Sequence, residues 1–408
     1  MSKAYDICVV GGGMVGAAQA ALLSRAGFEV ALLEAFQPAE FNPENEVGLR
    51  VSAISAGSRA ILEQAGAWKC IEKQRHCAYR EMHVEEQGSE RGLDFLADEF
   101  GRDALGYIIE NQLVQSCLWK SIEAAGEVDI YCPDKLQGLE QRPDGVTVKL
   151  ESGQSLKCKV LAASDGALST VRKMVGIDQQ VWEYNEQGLV AVITTEKPNP
   201  GIAWQRFLSG GPLALLPLSD GRSSIVWTQS DADARSRVSL PEDEFLTELT
   251  EACRSVFGKV TAVSERASFP LRTRISEHYL DGRVVLLGDA AHAVHPLAGQ
   301  GVNLGFLDAA ALTESLLAAD EHSLDRALRH YARWRRSDSV LMTRGFHAIH
   351  ELFALPGQIS SKIRQIGMRI TNKSWFTKDR LLLHAAGQHS DAPRLAKGET
   401  LREIMRNH

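Results

Sequence analysis

Short apolar runs and helical spacings alternate from the start of the chain. Tyr5 to Val10 is apolar apart from Asp6 and reads as a strand that ends in the glycine cluster GGGMVG at 11–16. A helix is predicted from Met14 to Ala26, stopped by Gly27, and a second strand from Phe28 to Leu33. After Arg50 the pattern reads as helical through Gly66, with Gly48 and Gly57 as punctuation. Residues 79–96 and 128–160 alternate apolar and polar positions, as half-buried strands do, with turns at Pro143-Asp144-Gly145 and Ser152-Gly153. Two helices are predicted among these strands, one from Asn111 to Ala125 and a short one after Asp165. Residues 181–230 read as mainly β, broken at Pro198, Pro200, Gly210, Gly211 and Pro212, and 241–256 as a helix. The apolar strand Arg283 to Leu287 then leads into GDAAHAVHPLAGQGVNLG and a long helix. Core strands thus recur at both ends of this stretch, which predicts an α/β protein with interleaved domains.

Composition narrows the class. The chain has 408 residues, 44% hydrophobic and 24% charged, which excludes disordered, collagen-like and disulfide-scaffold proteins. Its net charge, 45 − 52 = −7, argues against a nucleic-acid binder. The seven cysteines (8, 70, 77, 117, 132, 158 and 253) form no C-x-x-C pair, which predicts free thiols in a reducing compartment. The N-terminus runs straight into a strand with no room for a signal peptide, and no apolar run reaches the ~18 residues of a membrane span. A cytoplasmic location is the expectation.

The candidate chemistry begins at Gly11-x-Gly13-x-x-Gly16, around Met14 and Val15. Here a strand precedes and a helix follows, so backbone N–H groups at the helix start can meet a pyrophosphate. Glu34 ends the second strand, 18 residues past Gly16, where a carboxylate accepts from ribose hydroxyls and repels a 2′-phosphate. This motif leaves NAD and FAD open, though not NADP. Two further turns also follow strands. Asp165-Gly166, with Ser169 and Arg172, is one. Gly288-Asp289 is the other, followed by Ala298-Gly299-Gln300-Gly301-Val302-Asn303 at a helix start. Three such turns able to meet one extended ligand fit FAD.

These motifs resemble the FAD-dependent aromatic hydroxylases whose fold is typified by para-hydroxybenzoate hydroxylase. The resemblance rests on GGGMVG with Glu34, on SDGALSTVR at 164–172 and on GDAAHAVHPLAGQGVNLG at 288–305, and it covers nearly the whole chain. Within that family LRVSAIS at 49–55, LGYIIEN at 105–111 and HPLAGQGVNLG are similar to the ubiquinone-biosynthesis hydroxylases. The resemblance implies a Rossmann-like FAD-binding domain (1–75, 100–180 and 270–340) interleaved with a mixed β-sheet substrate domain (76–99 and 181–269), then a helical region at 341–408. It further implies that Gly11, Gly13, Gly16 and Glu34 hold the ADP half of FAD, with Arg50 and Asn111 near the cofactor. Asp165 and Gly166 would serve both FAD and the reducing nucleotide, and Gly288-Asp289 the ribitol and pyrophosphate. Gly299, Gly301, Val302 and Asn303 would meet the isoalloxazine ring, with Pro296 beside it. The family's second turn usually reads G-A-D-G, whereas this chain has Ala163-Ser164-Asp165-Gly166, and the added side-chain atoms are expected to shift that turn.

The implied reaction consumes NAD(P)H and O2 and proceeds through a flavin C4a-hydroperoxide that attacks an electron-rich ring. No base for the phenol can be named. His292 and His295 are nearest, and they read as structural or flavin-shell residues rather than metal ligands; His347 and His350 read as surface or packing residues. From Leu355 on, ten Lys/Arg stand against four Asp/Glu, and Ile359, Ile363, Ile366 and Ile370 form an apolar helical stripe near Lys362, Arg364 and Arg369. Trp375, Phe376 and Leu381 to Leu383 continue it. Two readings of 355–408 stand: a helix packed on the protein's own core, and a contact with the membrane surface or a partner. The latter suits a polyprenylated phenol or quinol substrate, a location peripheral to the inner membrane and a multiprotein ubiquinone-synthesis assembly. A monooxygenase acting on a small soluble aromatic and a flavin reductase or oxidase are the competing functions.

Overall fold

A computed structural model describes residues 3–89, 92–294, 301–320, 322–354, 371–372 and 374–407. Its first sheet has a parallel centre in the order Val284–Leu286, Ser155–Ala163, Ala4–Val10, Val30–Leu33, Val128–Tyr131. Val30–Leu33 and Val284–Leu286 are buried throughout, which is why they read as continuous apolar runs. The hairpin Leu136–Arg142 and Gly145–Leu150 extends the antiparallel side of Ser155–Ala163, turning at Pro143-Asp144-Gly145. The helices Met14–Arg25, Asn111–Ala125 and Gly301–Leu317 cover one face with a core that includes Leu22, Leu118 and Phe306.

The second sheet is mainly antiparallel and runs His292–Ala293, Ala267–Ser276, Gln179–Thr195, Ser223–Ser230, Gly211–Pro217, Ile202–Leu208, Glu81–Glu86, Leu93–Leu96. Alternation separates its faces. Trp204, Leu213, Leu215, Ile225 and Trp227 pack on Phe245 and Leu249 of the helix Glu242–Ala252. The opposite face presents Val192, Ala203, Ala214 and Leu216 to a third, three-stranded sheet of Val51–Ser55, Gly106–Glu110 and Cys77–Tyr79. The chain enters the three sheets by turns, so they interleave along the sequence.

Two sequence expectations are corrected. The stretch after Arg50 is not helical throughout: Val51–Ser55 is a strand, and the helix is Ala56–Gln64, capped by the Ser55 side chain. Valine and isoleucine stiffen the segment toward β geometry, and pairing with Gly106–Glu110 decides it. The thiols are not all free either. Cys70 and Cys117 form a disulfide between the helices Trp68–Glu72 and Asn111–Ala125, and the other five remain thiols. The pair is 47 residues apart in sequence, and packing alone brings it together, which no local cysteine motif records.

The C-terminal region divides. The isoleucine stripe with Lys362, Arg364 and Arg369 lies outside the described residues. Beyond the helix Trp375–Ala385 the chain returns to the core: Leu395, Ala396, Leu401 and Ile404 are buried in it, and Gln64 accepts the Leu401 N–H. That last part, which lies beyond the stripe, packs on the protein's own core. Among the described residues no helix is long and apolar enough to cross a membrane.

Candidate active site

Register places the predicted turns on one edge. Val10 pairs with Leu33 on one side and Ala163 on the other, and Ala163 pairs with Leu286. The four strands therefore end level, and Gly11, Glu34, Ser164-Asp165 and Gly288 all follow at the carboxyl edge of the parallel sheet, where open α/β sheets bind ligands. The turns touch. Gly11 has φ +100°, and a Cβ there would fall 2.5 Å from the Ser164 carbonyl oxygen. A Cβ on Gly16 would meet the Gly11 oxygen at 1.8 Å, while one on Gly13 would enter open space. Val15 packs against both Gly288 and Gly305, and Met14 is half-buried beside it. The glycines thus close the helix Met14–Arg25 onto the sheet and leave its N-terminus open, with no side-chain cap.

Glu34 accepts the Gly12 N–H on one carboxylate oxygen and the Phe36 N–H on the other, which leaves lone pairs for sugar hydroxyls. Gln115 and Trp119, which the sequence reading missed, donate to the Gly12 carbonyl at 2.9 and 2.8 Å and fix this loop from below. The two departures at the second turn are both used. Ala163 is fully buried in the sheet, and the Ser164 hydroxyl lies 3.0 and 2.9 Å from the Val10 and Gly11 carbonyls, tying this turn to the first. The Asp165 carboxylate accepts from the Ser169 hydroxyl and the Thr170 and Val171 N–H groups, so it holds the start of the short helix Thr170–Met174; Gly166 follows at φ +83°.

At the third turn Asp289 stands differently. Protein surrounds its carboxylate, yet it stays open to solvent, and no described residue hydrogen-bonds to it. Desolvation raises its pKa, an effect His292 offsets in part. Behind it lies a network that no sequence motif marks. Asp308, fully buried, accepts from Gly288 N–H at 2.9 Å and Arg335 Nε at 2.7 Å, and pairs with His292 Nε2 at 2.6 Å. Burial alone would raise the Asp308 carboxyl, but His292 and Arg335 outweigh it and hold it below the ordinary value. The signal was present: a lone aspartate inside the apolar helix Gly301–Leu317. His292 is thereby a structural residue, and no cluster able to hold a metal ion occurs among the described residues. His295, Pro296 and Gly299 lie outside the described residues.

Gly301 and Val302 open the following helix, and Asn303 joins it to the third sheet. The Asn303 amide accepts the Ser55 N–H at 3.0 Å and donates to the Ala53 carbonyl at 2.8 Å, so its side chain is committed to backbone. Arg50 is exposed, and its carbonyl accepts the Asn111 N–H; the Asn111 side chain accepts from Ser52. An uncapped helix start over glycines, an acid at sugar distance from it and an unpartnered carboxylate two strands away together fit an extended dinucleotide such as FAD.

A family model described as an FAD binding domain matches residues 4–344. The chain belongs to that family. It is similar to the 3-demethoxyubiquinol 3-hydroxylase of Escherichia coli, 33% identical over 94% of this chain and 98% of the relative. It is also similar to the ubiquinone hydroxylase UbiL of Rhodospirillum rubrum, 30% identical over 98% and 94% of the two chains. The human mitochondrial ubiquinone biosynthesis monooxygenase COQ6 is 32% identical over 94% and 92%. Among solved structures, p-nitrophenol 4-monooxygenase from Pseudomonas putida superposes with a TM-score of 0.76 at 21% identity, over 95% of this chain and all of that one, a likeness of fold. This FAD-binding protein is a monooxygenase.

Proposed function

We propose that this chain hydroxylates the ring of a polyprenylated phenol or quinol intermediate in ubiquinone biosynthesis. The observation that carries the reading is the near-complete span of its match to ubiquinone hydroxylases of bacteria and a mitochondrial counterpart. The carboxyl-edge geometry supports FAD as the resident cofactor. In this reading the turn Gly11, Gly13 and Gly16, with Met14 and Val15, opens the helix start to the pyrophosphate, and Glu34 takes the adenosine ribose. Asp289, beside Gly288, takes a hydroxyl of the ribitol chain. Asp165 and Gly166 shape the turn beside it. Pro296, Gly299, Gly301 and Val302 form the flavin end, which Asn303 anchors, with Arg50 and Asn111 at its border.

Bound FAD, reduced by a nicotinamide nucleotide, supplies the chemistry by which one oxygen atom of O2 reaches the ring. The chain's part is to orient the ring against the cofactor and exclude water. The sequence holds one dinucleotide fingerprint, which suits NAD(P)H as a transient donor. The division into an FAD-binding domain (1–75, 100–180, 270–340), a substrate domain (76–99, 181–269) and a C-terminal helical region (341–408) follows the same reading. A cytoplasmic protein meeting the inner membrane through the basic part of 355–408, within a ubiquinone-synthesis assembly, suits a substrate dissolved in lipid.

The test is mass spectrometry of lipids from a strain lacking the gene. A prenylated phenol or quinol one hydroxyl short, with less ubiquinone, is expected, and its substitution pattern names the ring position. Normal ubiquinone with no such intermediate would count against the reading.

A further inference from the structure

The Cys70–Cys117 disulfide sits behind the cofactor edge. In the cytoplasmic protein proposed above thiols stay reduced, and the disulfides that do form there are transient, serving to sense or transfer electrons. Cys117 lies in the middle of the helix Asn111–Ala125, two residues from Gln115 on one side and two from Trp119 on the other. Gln115 and Trp119, one turn apart, both donate to the Gly12 carbonyl. The Trp119 ring stands so close that a Cβ on Gly12 would fall 2.5 Å from it. Two residues along a helix turn the direction by about 200°, so the Cys117 side chain leaves on the side away from the glycine turn.

On that side the helix rests on Trp68–Glu72, to which the disulfide ties it. Ser121, one turn on from Cys117, adds a hydrogen bond from its hydroxyl to the Ala65 carbonyl at 2.8 Å. Trp68 anchors the backing helix: it is buried, packs edge-on against Tyr107 with ring centres 4.9 Å apart, and has the Arg59 guanidinium over it. The helix Asn111–Ala125 is thus held between the glycine turn on one side and a covalent tie on the other. The two sulfurs differ in access. Cys117 is 1% exposed and Cys70 is half-buried, so an attacking thiolate or a peroxide meets Cys70 first.

We propose that Cys70–Cys117 is a redox switch that sets how firmly the protein holds FAD. Closed, it clamps the helix under the Gly12 turn; open, it lets the helix draw back and the cofactor leave sooner. Opening takes two electrons from a dithiol. One thiolate of the dithiol attacks the Cys70 sulfur, the S–S bond breaks, and Cys117 leaves as a thiolate that takes up a proton. The second sulfur of the dithiol then displaces Cys70 as a thiol, and the dithiol ends as a disulfide. Closing takes hydrogen peroxide. The Cys70 thiolate attacks one oxygen, the O–O bond breaks, and the hydroxide released becomes water; Cys117 then displaces the second oxygen from the sulfenic sulfur, again as water. Two thiols and one peroxide thus give one disulfide and two waters. The oxidant is at hand, because reduced flavin that meets O2 with no ring to hydroxylate releases hydrogen peroxide. The inference rests on FAD binding and not on the identity of the ring.

The test uses FAD-loaded wild type treated with equimolar peroxide or with dithiothreitol, each then desalted, with thiols counted after unfolding. Five thiols are expected in the first state and seven in the second. FAD release is followed as the rise of flavin fluorescence on dilution. The seven-thiol state should release FAD about 5-fold faster or more, and peroxide should restore the slow rate. C70S should release at the fast rate after either treatment. A C77S, C132S double variant, which removes the other two half-buried thiols, should keep the full response. Equal release rates in the five- and seven-thiol states would overturn the proposal. So would a pair that dithiothreitol does not open in the folded protein or that peroxide does not close, and so would a C70S that still responds. Should C70S not fold, the two states of wild type decide.

Discussion

Asp308 shows what a single residue does at the cofactor edge. It touches no turn surface, yet it accepts the Gly288 N–H and holds His292 and Arg335 around the strand end that carries Asp289. Removing its charge leaves the buried Arg335 guanidinium paired with Asp338 alone. Asp308→Asn should therefore lose about 1–3 kcal/mol of stability near pH 7, measured by urea unfolding of the FAD-loaded protein. The pH dependence has a defined sign. The folded pKa of Asp308 lies below its ordinary 3.8, so its stabilising charge is fully present above that value and is lost as pH falls through the lower, folded one. The gap between wild type and variant should stay constant above that value and narrow only below it; a gap that narrows near neutral pH would refute the role. Gly16 is the opposite case, because its importance was legible at once. The spacing predicts close approach, and the structure puts the Gly11 oxygen where a methyl would stand.

At the scale of elements, local pattern succeeded where one element decides its own form. The helix Asn111–Ala125 has the bounds its apolar spacing predicts, and Gly126 in the left-handed region ends it. Pattern failed at Val51–Ser55, where strand form depends on partners more than fifty residues away. The disulfide between Trp68–Glu72 and Asn111–Ala125 belongs to the same class, since helix packing alone sets it. It carries a direct test. Titration of the unfolded, unreduced protein should find five thiols, rising to seven after reduction. Seven without reductant would show the pair open.

At the scale of the molecule, the chain weaves among three sheets, so that the carboxyl edge with its glycine turns belongs to the first and a small cavity lies between the other two. The tail returns to the main core through Leu401 and Ile404, which makes its removal a poor test of membrane contact. Charge reversal is cleaner. Lys362→Glu, Arg364→Glu and Arg369→Glu together should abolish flotation of the protein on anionic liposomes while leaving its FAD content unchanged. Flotation equal to wild type would remove the membrane proposal. The sequence by itself determined the parallel sheet, the three glycine turns and the acid at Glu34, because strand periodicity and close backbone approach are local demands written at fixed spacing. From those motifs the FAD family was already legible. Only the tertiary structure decided that Asn303 spends its amide on Ala53 and Ser55, that Asp308 stands behind Gly288, and that Tyr79 and Gln205 share one cavity. Those facts depend on which distant side chains burial brings within hydrogen-bond reach, and no spacing along the chain encodes that distance.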